Sequence, residues 1–141
     1  MATRSTITVV NPDDTVSQIY CHFDGYPAHN GVLLKEFYNT LELAQELVSL
    51  GDLSVLAERI HPEGDHTFEA PEDGTCVFYG RDRGESDTEP SHYPNFEMYR
   101  LSGDSQEYNY ILRNDGKWYV RSGRDFVELD DLLETSVDTT V

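Results

Sequence analysis

Apolar and polar positions alternate along "STITVV" and again along "VSQIYCHF", and the two runs flank "NPDDT", where proline and two aspartates supply a turn. This pattern predicts a hairpin, Ser5 to Val10 paired with Val16 to Phe23. The period then changes. Leu33, Phe37, Leu41, Ala44 and Val48 recur at three- and four-residue spacing, which lays one apolar stripe along a helix. Gly51 ends that helix, and Asp52 is placed to cap a second, shorter one through "LSVLAERI". From His61 to about Asn95 the chain reads as irregular, with one strand candidate in "TCVFYG". Beyond it, "EYNYILRNDGKWYVRSG" carries the clearest hairpin signal, an Asp115-Gly116 turn between aromatic, alternating flanks. A short helix is expected through Leu129 to Leu133, with a frayed tail after it.

Strands, helices and strands again predict an α+β domain: an antiparallel sheet of about five strands, with one long helix and one or two short helices packed on one face. At 141 residues, with no Gly/Ser linker and no internal repeat, the chain reads as a single domain spanning 1–141.

Charge alters this picture most. The chain has 27 acidic residues against 10 basic ones, a formal net charge of −17. Such a surface repels nucleic acid and anionic lipid, so direct nucleic-acid binding and a membrane-surface role are not expected. Much of the acidity sits in the irregular segment at about 61–95. There Glu63, Asp65, Glu69, Glu72, Asp73, Asp82, Glu85, Asp87 and Glu89 face only two basic residues, Arg81 and Arg83. Carboxylates spaced along a rigid domain can stand in for phosphates and occupy a basic groove on another protein. The plainer readings are solubility and adaptation to salt. No run resembles a signal peptide or approaches the length of a membrane span, which predicts a cytosolic protein.

Catalytic signatures are missing: there is no GxSxG, GxxxxGK[ST], HExxH or GxGxxG. Cys21 and His22 are adjacent on a predicted strand, so their side chains point to opposite faces and cannot form a nucleophile–base pair. Cys21 and Cys76 lie in no CxxC pattern and read as buried core residues. The stretch "HFDGYPAHNG" offers another set, since His22 and Asp24 share a face and His29 can fold back to meet them. Two histidines and a carboxylate can hold a divalent metal. The alternative is a plain turn, with Asn30 capping the helix that follows. His61 and His66 form a weaker metal candidate around "PEGD". A small-molecule or metal site would draw on His22, Asp24, Tyr26 and His29, with Arg81 and Arg83 as an anion contact. Those two arginines can equally pair with neighbouring carboxylates. No catalytic residue and no cofactor is assigned.

Four segments, "MATRSTITV", "QIYCHFDGYPAHNGVLL", "PEDGT…YGRDRGE" and "EYNY", together resemble a group of small tailed-bacteriophage proteins. That resemblance brings no activity and no site residues. It implies a context, the cytoplasm of an infected bacterium, and a role as a non-enzymatic accessory protein that inhibits a host defence or nucleic-acid-handling protein. The partner expected is a host protein with a basic surface.

Overall fold

A computed structural model describes residues 3–102, 106–122 and 125–133. The two alternating runs form the expected hairpin, β1 (Ser5–Val10) and β2 (Val16–Cys21), antiparallel with Ile7 opposite Ile19. All six residues of β1 are buried. A strand buried on both faces belongs in the middle of a sheet, and its second edge needs a partner.

That partner is β6 (Tyr108–Leu112), which runs parallel to β1 with Ile7 opposite Tyr110. The Asp115-Gly116 hairpin then adds β7 (Trp118–Ser122), and β8 (Asp125–Glu128) follows. On the other side of β2 come β3 (Leu53–Val55), joined in parallel at Cys21, and β4 (Val77–Phe78). The remaining half of β2 pairs with β5 (Ser91–Tyr93). The order is β4-β3-β2-β1-β6-β7-β8, with β5 beside β2. This eight-stranded mixed sheet replaces the five-stranded antiparallel sheet expected from the sequence.

The single long helix is also corrected. A π-helical turn (Pro27–Gly31) leads into α1 (Val32–Phe37), and after a break α2 (Leu41–Ser49) begins. The break lies at "YNT". Tyr38 leaves the helix to bury its ring, donating its hydroxyl to the Ala57 carbonyl at 2.8 Å, while Thr40 caps α2 by accepting from the Leu43 N–H. Phe37, which the stripe placed in the core, is 41% exposed.

"LSVLAERI" is not a helix. The N–H groups of His22 and Phe23 continue past the end of β2 and are satisfied by the carbonyls of Leu53 and Ser54, which holds this stretch extended as β3. Asp52 caps nothing there, and its Oδ1 accepts from the Tyr20 N–H at 2.9 Å.

Helices cover both faces rather than one. Leu34, Leu47 and Val48 pack with Ile7, Ile19, Tyr110 and Trp118 on one face, joined by Leu129 from the helical turn at residues 129–133. The expected tail beyond that turn lies outside the described residues. A short α3 (Tyr79–Arg83) follows β4. On the opposite face α4 (Phe96–Leu101), capped by Asn95, seats Tyr99 against Val10, Val16 and Ile111.

Candidate functional site

The turn "HFDGYPAHNG" is built as a brace. Gly25 donates its N–H to the Thr3 carbonyl at 2.8 Å and accepts from the Tyr110 hydroxyl at 2.6 Å. Asn30 is fully buried, and its amide nitrogen reaches Ser5 Oγ and Cys21 Sγ, both at 3.3 Å. It does not cap α1, which has no side-chain cap. These contacts tie the turn to β1, β2 and β6 at once.

The candidate ligands His22, Asp24 and His29 are each engaged within the turn rather than gathered. His22 Nδ1 lies 2.6 Å from the Tyr20 hydroxyl, and its ring meets the edge of Phe23. His29 Nδ1 lies 2.9 Å from Asn30 Oδ1, with the Tyr26 ring beside it. Asp24 holds a left-handed backbone with φ 58°, and its carbonyl accepts from the Asn30 N–H. Among the described residues no three His, Cys, Asp or Glu side chains are gathered to hold a metal ion. Burial pushes the Cys21 thiol up to about 12 and also raises that of Cys76, so both are inert core residues.

The acidic segment is ordered from within. Arg59 and Cys76 close it at its base, through Arg59 N–H to the Gly74 carbonyl at 3.0 Å and Cys76 N–H to the Arg59 carbonyl at 2.9 Å. Inside this loop the Glu72 carboxylate accepts from the Thr75 hydroxyl at 2.6 Å and from the N–H groups of Glu63 and Gly64 at 2.9 and 2.7 Å. Arg59 lies 3.1 Å away. The Thr75 hydroxyl first, then these backbone donors and Arg59, lower the Glu72 carboxyl from its ordinary 4.5 to about 2.

Asp82 is the second internal anchor. It accepts from the Phe78 N–H at 2.8 Å and from Arg81 at 2.9 and 3.1 Å, and His66 Nε2 stands 3.3 Å away. Burial raises the Asp82 carboxyl, but the bonds from Arg81, Phe78 and His66 outweigh it and leave the group below its ordinary range.

The arginines serve this segment and not the turn. Arg81 also donates to the carbonyls of Ile60 at 2.6 Å and Cys76 at 3.0 Å, while Arg83 lies over the Phe68 ring and 3.6 Å from Glu85. His61 pairs at the surface with Glu46, away from His66.

Two of the nine acidic residues thus turn inward. The other seven, Glu63, Asp65, Glu69, Asp73, Glu85, Asp87 and Glu89, are exposed, and Glu58 joins them from the base of the loop. The arrangement displays carboxylates on a scaffold braced by half-buried, hydrogen-bonded charge at the β3–β4 end of the sheet. Arg59 was missed in the sequence because its stretch read as a helix. Its spacing from Glu63, one ion pair of this scaffold, was the available signal.

Glu72 makes this order pH-dependent. Because its folded value lies below the ordinary one, its contribution is complete above about 4.5 and is lost as pH falls toward about 2. Amide exchange at Glu63 and Gly64 is expected to accelerate across that window after correction for intrinsic rates. Glu72→Gln should exchange faster at neutral pH and lose the transition.

No helix among the described residues is long and apolar enough to cross a membrane. Compared with protein families, with curated proteins and with solved structures, the chain matches none.

Proposed function

We propose that the protein is a non-enzymatic binding protein of a tailed bacteriophage, acting in the infected cell by occupying a basic surface of a host defence or nucleic-acid-handling protein. The observation that supports this reading is the division of labour in the acidic segment. Glu72 and Asp82 are used internally, Arg59 and Arg81 turn toward them, and the remaining carboxylates face outward. A loop ordered before binding loses little conformational freedom when a partner arrives. Outward carboxylates on that loop steer a basic partner and compete with nucleic acid for the same groove.

The test is capture of host proteins on the immobilised full chain, followed by elution with duplex DNA. Captured protein should be released by DNA, and retention should fall at least about tenfold between about 50 and about 200 mM salt. The combined variant Asp65→Asn, Glu69→Gln, Asp73→Asn and Asp87→Asn should lose capture without a lower melting temperature. Capture that survives both DNA and the neutralised variant overturns the proposal, as does an absence of capture.

A further inference from the structure

Two hairpin turns meet at one end of the sheet. Because β1 and β6 are parallel, with Val9 opposite Leu112, Val10 and Arg113 leave the sheet side by side. Beside them lies a cavity of about 280 Å3, lined by Val10, Asp14, Phe96, Arg113, Asn114 and Asp115.

The Arg113 guanidinium lies over the Phe96 ring at 4.3 Å, with Tyr119 and Phe126 at 5.4 and 5.5 Å. Aromatic faces hold a guanidinium in place without consuming its N–H donors. Among the described residues its side chain makes no hydrogen bond or ion pair. Arg59, Arg81, Arg83 and Arg100, by contrast, each pair with a carboxylate. Asp14 lines the same cavity, with φ 72° and, among the described residues, no side-chain partner of its own. Asp115 accepts from the Tyr119 hydroxyl at 2.5 Å and the Lys117 N–H at 3.0 Å, one bond to each oxygen, leaving lone pairs over. Opposite charges therefore stand around one cavity without closing on each other.

We propose that this cavity binds a small zwitterion of the amino-acid type. Its carboxylate would accept the fork of Arg113, its ammonium would donate to Asp14 and Asp115, and an apolar substituent would rest on Val10 and Phe96. A plain anion meets two aspartates and a chain of net charge −17, and a plain cation meets Arg113. A molecule carrying both charges satisfies both walls. The volume is close to the lower end, about 300 Å3, of ordinary small-molecule pockets.

The test titrates free leucine, N-acetylleucine and leucinamide into the full chain, followed by NMR shifts of the Asn114, Asp115 and Tyr119 amides. Leucine should bind, and each blocked analogue should bind at least about tenfold more weakly, the equivalent of one charged contact. Asp14→Asn, a change that its left-handed turn tolerates, should weaken leucine about tenfold, and Arg113→Gln at least as much. N-acetylleucine or inorganic phosphate binding as tightly as leucine overturns the proposal, as does the absence of any shift with leucine.

Discussion

Gly51→Ala is expected to lower the stability of the fold by about 3 kcal/mol or more, because two independent penalties fall on one atom. The backbone there has φ +86°, a left-handed conformation that L side chains adopt at a cost. A Cβ at that position would also sit 2.2 Å from the Thr88 carbonyl oxygen. That oxygen cannot give way freely, since it accepts from the Asp52 N–H at 2.8 Å. Gly51 therefore both ends α2 and lets the acidic segment dock beside it. Gly84→Ala is the control: φ is +75°, but nothing lies within 4 Å of the added carbon, so only the conformational cost of about 1 kcal/mol remains. Urea denaturation of the two variants should separate them clearly, and equal losses would contradict the close approach at Thr88.

Arg121→Ala should cost about 3 kcal/mol and loosen one helix selectively. The side chain is buried, lies over Tyr99 at 4.5 Å, and donates to the carbonyls of Tyr99 at 3.1 Å and Arg100 at 2.8 Å. Those carbonyls lie in the last turn of α4, where helical partners run out, although the Tyr99 carbonyl also accepts from the N–H and hydroxyl of Ser102 at 3.1 and 2.6 Å. Truncation leaves a cavity next to the buried Tyr99 ring and removes the Arg121 donor from the Arg100 carbonyl. Hydrogen exchange should rise in α4 before it rises in α1 or α2, which sit on the other face of the sheet. Uniform loss of protection would show that Arg121 does not act through α4.

Local signals in the sequence were legible where short-range chemistry decides. The β1–β2 and β6–β7 hairpins follow from alternation and turn residues, and Gly51 follows from helix termination. The α4 helix, to which the sequence reading assigned no element, carries a signature too, with Asn95 three residues before Met98, Glu97 in the first turn and Arg100 in the last. Two failures have one origin, which is that long-range pairing overrides periodicity. Tyr38 breaks an apparent helix because Ala57 and Trp118 offer it buried partners. Leu53 to Val55 extend because β2 runs out of neighbours. The candidate site divides in the same way. Exposure of the acidic segment was readable from composition, whereas the inward roles of Glu72 and Asp82 depend on donors brought in by Thr75, Arg59, Arg81 and His66. At the "HFDGYPAHNG" turn, residue types suggested a metal site, but Asn30 and Tyr110 claim the turn for packing.

The parallel pairing of β1 with β6 sets the order in which the chain can be completed. Thr6 and Asn109 share a buried hydrogen bond across 103 positions of sequence. During synthesis the β1–β2 hairpin therefore emerges with one apolar edge open, and it waits for most of the domain before β6 can cover it. Loop closure of that length precedes any reward from the central contact, and non-local pairing of this kind slows folding. A cell making it in quantity would hold a standing population of nascent chains with that edge exposed.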